Sequence, residues 1–254
     1  MANFPAAIIG SRVWRAGATL QTSPSGSIPA GSIPGVSIPG ASSHRPGHLS
    51  TGFSELDKCL PGGGWPRGAI TEVLYDHHGI GELRLVMPIL VSVTRSGGNV
   101  VWVAPPYIPY APALSAEGVE LSRVLWVGAP SWESFRQSDQ DSRRDSSQKL
   151  PRKSGRSGAG TEYLWAAEQA LRQAACGAVL LWLAHCPEEG KILRRLQIAA
   201  EVGGGCGILF RPHRAAAHAS PAAVRLVLDA SANGTQVRLL KCRGRAPKNT
   251  VLTL

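Results

Sequence analysis

The sequence predicts an α/β fold, in which a mostly parallel sheet is flanked by helices on both faces. Three observations support this prediction. Apolar runs alternate with amphipathic segments from residue 49 to residue 254, the pattern of repeated strand–helix units. One run, residues 178–183, contains no polar side chain, as expected of a central strand buried on both faces. A strand candidate at residues 69–74 leads through a glycine-containing loop directly into a helix.

Each element follows from a local pattern. Short apolar runs predict strands at residues 69–74, 99–104, 124–127, 178–183, 207–210, 224–229 and 235–242. The Asn233-Gly234 pair is typical of a tight turn between antiparallel strands, so the last two strands should form a hairpin. Apolar residues at helical spacing predict helices at residues 82–95, 161–175 and 191–202, and Thr161 suits the N-cap of the second helix.

The loop between the first strand and the first helix has the position of a nucleotide-binding loop without its chemistry. A functional P-loop has the pattern G-x-x-x-x-G-K-[ST], in which the lysine contacts phosphate and the hydroxyl binds Mg²⁺. Here Asp76 replaces the first glycine, Glu82 replaces the lysine and Leu83 replaces the Ser/Thr. Gly79 and Gly81 remain as loop glycines. The sequence therefore predicts a degenerate nucleotide site.

Glu82 turns an attraction for phosphate into a repulsion. A unit charge pair about 4 Å apart is worth about 4 kcal/mol at an effective dielectric constant near 20, so reversing one sign disfavours nucleotide by several kcal/mol. Two further carboxylates are missing, because no acidic residue follows strand 178–183 before Glu188, and strand 99–104 leads into Pro105-Pro106. We expect no ATPase activity and no cofactor, although backbone N–H groups at the helix start could hold an anion.

Two segments interrupt the predicted core at 49–254. Residues 1–48 repeat Ser-Ile-Pro and are rich in glycine, so we expect a flexible N-terminal segment. An apolar island at residues 6–15, which includes Trp14, is either a docking peptide or a short strand of this domain. A polar, basic insert at about 131–160 is either a passive linker or a contact for nucleic acid.

The charge of the chain is strongly basic and unevenly distributed. The net charge is +10, and residues 191–254 hold eleven basic residues against two acidic ones. This asymmetry favours nucleic acid or an acidic protein as a partner, or else forms a solvated basic face. The sequence has no apolar run of 18 residues and no secretory signal, so we expect no membrane contact and a cytoplasmic protein.

The sequence offers little evidence of a metal or redox site. Five scattered cysteines, Cys59, Cys176, Cys186, Cys206 and Cys242, have no zinc spacing, so reduced thiols are expected. Adjacent residues such as His77-His78 rarely point at one ion, and no third ligand lies nearby in the sequence. No metal site is therefore predicted.

Several motifs together resemble the core of the RecA-type recombinases. They are Ser50-Thr51-Gly52 with Leu56-Asp57, Gly62-Gly63-Gly64 before the loop strand, Gly118-Val119-Glu120, Glu168-Gln169-Ala170-Leu171, and a basic strand end at Lys241-Cys242-Arg243. The resemblance covers roughly residues 49–250 without the insert. It implies a RecA-like, P-loop NTPase-type fold, here with a degenerate nucleotide site.

Further motifs are more specific and are similar to those of the ImuA family. The members of this family are RecA-like accessory factors of damage-induced translesion DNA synthesis and are sometimes labelled SulA-like. The motifs are Val13-Trp14-Arg15, Leu60-Pro61-Gly62-Gly63-Gly64-Trp65-Pro66-Arg67-Gly68, Gly79-Ile80-Gly81-Glu82-Leu83-Arg84-Leu85, Pro109-Tyr110-Ala111-Pro112, Trp165-Ala166-Ala167 and Leu193-Arg194-Arg195-Leu196-Gln197. This resemblance implies a non-catalytic scaffold in error-prone, SOS-type DNA repair, located in the cytoplasm or at the nucleoid. The implied partners are an ImuB-type Y-family-like polymerase, an error-prone replicative-type DNA polymerase and RecA.

Residues that could contact a partner or DNA follow from the basic charge and the apolar island. They are Trp14, Arg194, Arg195, Arg211, Arg214, Lys241, Arg243 and Arg245. Three alternatives stay open: a SulA-like inhibitor of cell division that binds the tubulin-like ring protein, an unorthodox ATPase, and a protein that binds DNA directly.

Overall fold

The computed structural model describes residues 13–15, 47–128, 157–184, 189–244 and 251–253, with backbone alone at 13–15 and 157–160. The strands in these ranges are β1 Val13–Arg15, β2 His48–Leu49, β3 Trp65–Pro66, β4 Ala69–Leu74, β5 Asn99–Val103, β6 Val124–Val127, β7 Cys176–Trp182, β8 Cys206–Arg211, β9 Val224–Ser231, β10 Gly234–Cys242 and β11 Val251–Thr253. The α-helices are α1 Ser54–Cys59, α2 Glu82–Arg95, α3 Ala111–Ala116, α4 Ser157–Leu171 and α5 Glu189–Gly203.

One mostly parallel sheet organises the described residues. It has nine strands there, in the order β1-β6-β5-β7-β8-β4-β9-β10-β11. The six central strands, β6, β5, β7, β8, β4 and β9, pair in parallel. The outer strands β10, β11 and β1 pair antiparallel with their neighbours. Since the carboxyl ends of the parallel strands share one edge, the loops after β4, β5, β7 and β8 all emerge there. The predicted α/β class with flanking helices is confirmed, and the sheet is consistent with a RecA-like fold.

The helices cover both faces of the sheet and divide the core into two layers. On one face, Leu85, Ile89 and Leu90 of α2 pack in a cluster with residues of α1 and α3. On the other face, Ala167 of α4 and Leu196 of α5 belong to a second buried cluster. Because helices cover both faces of the sheet, β4, β7 and β8 consist almost entirely of apolar residues. These continuous apolar runs allowed the three strands to be predicted from the sequence.

Most predicted elements occur within a few residues of their predicted bounds. The predictions for β4, α2 and β6 match the observed bounds. The predicted hairpin is also present, since β9 ends at Ser231 and β10 begins at Gly234, which has φ 122°. The turn itself consists of Ala232 and Asn233, and Gly234, the residue with the left-handed backbone, is already the first residue of β10, so the turn differs from the predicted Asn233-Gly234 turn.

The prediction for the second long helix was wrong at both ends. Helix α4 begins at Ser157, so Thr161 lies inside the helix and is not its N-cap. The segment 157–160 contains no proline, and its glycines each cost only about 1 kcal/mol, so the helix continues upstream through them. Four residues assigned to the insert therefore belong to α4, and the rest of the insert lies outside the described residues.

The N-terminal segment contributes one described strand to the sheet. The backbone of Val13–Arg15 pairs antiparallel with β6, with Trp14 opposite Trp126. His48, also assigned to the flexible segment, lies in β2 and pairs with Pro66 of β3. The remainder of residues 1–46 lies outside the described ranges.

The Ser50-Thr51-Gly52 motif has a structural role at the start of α1. Asp57 accepts hydrogen bonds from the Ser50 hydroxyl at 2.7 Å and from the Thr51 backbone N–H at 2.9 Å. Gly52 has φ 84°, and a Cβ there would collide with Pro88 of α2. The motif thus fixes the entry of the chain into the domain and lets α2 pack closely.

A buried ion-pair network joins β4 to the strands on both sides of it. Glu72, fully buried in β4, accepts hydrogen bonds from Arg211 of β8 at 2.6 Å and from Arg225 of β9 at 2.5 Å. Arg211 also pairs with Glu189 at the start of α5, at 2.8 Å. The Arg225 guanidinium makes further bonds to the carbonyl oxygens of Ala215 and His218.

These contacts balance two negative and two positive charges inside the fold. Burial opposes the charge on Arg211, but the carboxylates of Glu189 and Glu72 more than offset it and raise the pKa of its guanidinium. A buried ion pair of this kind adds little over an apolar core, yet removing one partner leaves an uncompensated charge. The network therefore makes β4, β8 and β9 depend on one another.

We predict that Glu72→Ala lowers the free energy of unfolding by about 3–5 kcal/mol, because two buried guanidinium groups lose the carboxylate that they share and Arg211 keeps only Glu189. Urea denaturation measures the change. Glu55→Ala is the matched control, because Glu55 pairs with Lys58 on the surface, where both side chains are mostly exposed, and the expected loss is below about 1 kcal/mol. A loss below 1 kcal/mol for Glu72→Ala would contradict the role given to the network.

Candidate functional site

The candidate site is the loop between β4 and α2, residues 75–81, at the carboxyl edge of the sheet. Gly79 and Gly81 have left-handed backbones with φ 83° and 106°, and α2 begins directly afterwards at Glu82. In a nucleotide-binding loop, backbone N–H groups at this place point at phosphate. The question is therefore what these groups contact here.

The Glu82 carboxylate takes the position of an anion in this loop. Both of its oxygens accept the Gly79 N–H, at 2.9 and 3.1 Å. The side chain is 6% exposed, and a negative charge at the first residue of a helix is favoured by the helix dipole. Glu82 thus stabilises the loop and the helix start, and it satisfies a donor that a phosphate would otherwise use.

Two contacts tie the loop to distant parts of the chain. Asp76 accepts a hydrogen bond from the His213 backbone N–H at 3.0 Å, which connects the loop to the segment after β8. The Thr235 hydroxyl of β10 donates to the Ile80 carbonyl oxygen. A Cβ at Gly81 would collide with Thr235, whereas a Cβ at Gly79 would meet open space. The loop is therefore packed closely against β10 at Gly81, while the space beside Gly79 is open.

Tyr75 closes the base of the loop. Its hydroxyl lies 3.1 Å from Nδ1 of His78, and the two rings meet edge to face. Burial, reinforced by the negative charge of Glu82, raises the pKa of Tyr75 above its usual value. The phenol therefore stays neutral at physiological pH and acts as a hydrogen-bonding group.

A row of aromatic rings extends from Tyr75 along the carboxyl edge. Phe210 of β8 lies 6.0 Å from Tyr75 and stacks on Trp182 of β7 at 4.6 Å, and Trp182 lies 5.5 Å from Trp102 of β5. These rings occupy the ends of three neighbouring strands. At the end of β7, Trp182 leads into Leu183 and Ala184, while residues 185–188 lie outside the described ranges.

The other positions that were compared with nucleotide-binding proteins have structural roles. Leu83 is partly buried and packs against the core, so it offers no oxygen to a cation. After β5 the chain continues through Ala104, which has φ 50°, into Pro105. Within the described residues no group of three or more His, Cys, Asp or Glu side chains could hold a metal ion.

The buried thiols are poorly reactive. Burial raises the pKa values of Cys176 and Cys206 to about 12, so both remain protonated near pH 7 and poorly nucleophilic.

The described helices include none that is both long enough and apolar enough to cross a membrane.

The predicted contact residues that the structure describes differ in burial and lie on several elements. Arg211 is 3% exposed and belongs to the buried network with Glu72, so it does not offer its charge to a partner. The sequence predicted a surface position because Arg211 follows the apolar run of β8. The sequence does not show that Glu72 and Glu189 lie beside Arg211. Arg245 and the Trp14 side chain lie outside the described residues.

The other basic candidates lie on separate elements. Arg194 and Arg195 are exposed on α5, and Arg195 pairs with Glu168 of α4 at 2.5 Å. Arg214 is exposed after β8 and donates to the carbonyl oxygen of Ala184. At the end of β10, Lys241 donates to the carbonyl oxygen of Ser220; burial, followed by the charges of Arg243 and Arg225, lowers its pKa.

The sequence analysis missed Glu72 and Arg225 and gave Arg211 a different role. Each of the three places a charge in or at the end of an apolar strand, which is a signal of a buried ion pair. The Thr235 contact was not readable, because 155 residues separate Thr235 from Ile80. The hydrogen bond from Gly79 to Glu82 was also missed, since Glu82 was considered only as a lost lysine.

The fold and the loop are consistent with a RecA-like α/β protein. No protein-family model matches the chain. Over 86 residues it is 38% identical to "Protein ImuA" of Caulobacter vibrioides strain NA1000 / CB15N, and equally to that of strain ATCC 19089 / CIP 103742 / CB 15. The match covers 32% of this chain and 35% of each relative, so the chain spans about a third of these curated relatives. This supports an ImuA-like relationship at most, and the resemblance to the recombinases stays a prediction.

We predict that Gly81→Ala lowers the free energy of unfolding by about 2–4 kcal/mol, since the new methyl adds left-handed strain and a collision with Thr235. Gly79→Ala is the matched control: it has the same sign of φ but open space around it, so about 1–2 kcal/mol of strain is expected. Urea denaturation of both variants measures the difference. Equal losses would show that Gly81 is not held against β10.

Proposed function

We propose that the protein is a non-catalytic, RecA-like accessory scaffold of damage-induced, error-prone translesion DNA synthesis. Its main partner in this proposal is an ImuB-type Y-family-like polymerase, with an error-prone replicative-type polymerase and RecA as further partners. The observation that carries the non-catalytic role is the Glu82 carboxylate bound to the Gly79 N–H. The pathway is suggested by the partial similarity to ImuA.

The chemistry of the loop argues against ATP turnover. A triphosphate would have to displace a buried carboxylate from its hydrogen bonds and then lie beside that negative charge. The position of the Mg²⁺-binding hydroxyl is occupied by Leu83, which packs on the core. Since phosphoryl transfer depends on cations that neutralise the developing charge, the described loop lacks the groups that the reaction needs.

A fold kept without its reaction can still serve through its surfaces. The C-terminal part, residues 191–254, carries most of the net positive charge, with eleven basic residues against two acidic ones, and Arg194, Arg214 and Arg243 are exposed there. These side chains are available to an acidic protein face or to phosphate groups. DNA binding is therefore a second function that the charge supports, and the SulA-like inhibitor of cell division remains the alternative of the same non-catalytic class.

We predict that the purified protein neither binds nor hydrolyses ATP at millimolar concentration in the presence of Mg²⁺, because Glu82 repels the phosphates. Radioactive ATP hydrolysis and equilibrium dialysis measure this. Glu82→Ala and Glu82→Lys are compared with the wild type, and a RecA-type recombinase is the positive control. Turnover in the wild type that Glu82→Ala abolishes would refute the non-catalytic role.

We predict that the tagged protein, purified from damage-induced cells of its own organism, retains a Y-family-like polymerase through washes at about 0.15 M salt. Nuclease treatment during the wash removes complexes that are bridged by DNA. Retention of the tubulin-like ring protein without the polymerase would instead favour the inhibitor of cell division. Loss of the polymerase on nuclease treatment would favour direct DNA binding.

A further inference from the structure

The segment between β5 and α3 exposes an unusual amount of apolar surface. Tyr107, Ile108 and Tyr110 have exposed fractions of 69%, 70% and 72%. They lie within four residues, and no charged residue occurs between positions 104 and 116. We call residues 105–110 the tyrosine segment.

The tyrosine segment crosses the carboxyl edge of the sheet. It leaves β5 through Ala104, whose left-handed backbone turns the chain and whose N–H donates to the Val127 carbonyl oxygen at 2.8 Å. Its Tyr107 ring meets His78 of the loop after β4 at 5.8 Å. Because β7 and β8 lie between β5 and β4 in the sheet, the contact between Tyr107 and His78 joins the ends of two strands that are not neighbours. The apolar side chains are thus displayed beside the degenerate loop.

The exposed area is large enough to form the centre of an interface. An aromatic side chain presents about 150–250 Å², so the three side chains together expose roughly 400 Å². This is within the size range of the largest apolar patches on soluble monomers, which are often functional. It is also about half of the roughly 800 Å² that each partner of a stable complex buries.

The composition of the segment also suits binding. Prolines at positions 105, 106 and 109 restrict the free chain, so less conformational entropy is lost when a partner immobilises it. Tyrosine is enriched among the residues that dominate interface energies. Two exposed cations lie on other elements that begin at this edge, namely Arg84 in the first turn of α2 and Arg214 after β8, which donates to the Ala184 carbonyl oxygen just after the end of β7.

We propose that the tyrosine segment docks into an apolar pocket with an acidic rim on a protein partner. The pocket would take Tyr107, Ile108 and Tyr110, and the rim would face Arg84 and Arg214. A second copy of this chain is disfavoured, because two molecules of net charge +10 repel each other. Nucleic acid is disfavoured at this segment because the segment itself has no cation for phosphate. This inference rests on the proposed scaffold function and assigns it a surface.

The first experiment measures the affinity of the full chain for the purified Y-family-like polymerase, by calorimetry. We expect Tyr107→Ser/Tyr110→Ser to weaken binding about 30-fold or more. Val202→Ser is the matched control, because Val202 is 64% exposed on α5, away from the carboxyl edge, and less than a twofold change is expected. Circular dichroism checks that the variants are folded, and Ile108→Asp replaces the double variant if it is not. Equal affinity of wild type and double variant would overturn this inference while leaving the scaffold function intact.

The second experiment does not assume the identity of the partner. A photo-crosslinking phenylalanine analogue is placed at position 110, or at 202 as the control, in damage-induced cells. The inference is supported if position 110, but not position 202, crosslinks to an acidic protein and if the Tyr107→Ser/Tyr110→Ser variant binds that purified protein more weakly than the wild type does. If that protein is not a polymerase, the inference still holds and only the proposed function fails. Crosslinks to DNA, crosslinks to a second copy of this chain, or no crosslink at position 110 would overturn it.

Discussion

The pairing of Glu72 with Arg211 and Arg225 is the interaction on which the rest of the structure depends. A carboxylate in the middle of a buried strand is tolerated only with opposite charges at bonding distance, and the two neighbouring strands provide one each. The same arginines reach beyond the sheet, Arg211 to the start of α5 and Arg225 to the carbonyl oxygens after β8. The network therefore fixes β4, which leads into the loop, together with its neighbours β8 and β9. It also fixes the segment after β8 that holds Asp76.

In the loop after β4, groups that a ligand could use are occupied by contacts within the chain. The loop has two left-handed glycines and leads directly into a helix, and the N–H of Gly79 is satisfied by Glu82. Asp76 and Ile80 are likewise occupied by His213 and Thr235. A ligand would have to compete with each of these intramolecular bonds, whose partners are already in place and cost no further entropy.

Much of the fold was readable from the sequence, but the pairing of distant residues was not. The bounds of β4, α2 and β6 follow from local periodicity, since continuous apolar runs and helical stripes report burial directly. The N-terminus of α4 was missed because serine and glycine carry no such period. In the site, Glu82 and Leu83 were interpreted as replacements of phosphate-binding residues, which stays a prediction, whereas the contacts of Glu82 depend on loop geometry that the sequence does not report. The basic residues were treated as one class, and only the structure separates buried Arg211 from exposed Arg194.

The separation of Glu72 and Arg225 along the chain has a consequence for synthesis. During translation Glu72 emerges 139 residues before Arg211 and 153 residues before Arg225. Until both arginines have left the ribosome, β4 cannot be buried without trapping an uncompensated charge. Completion of the central sheet therefore needs strands that are translated long after β4. One buried carboxylate in this way links the stability of an early strand to side chains that are synthesised much later.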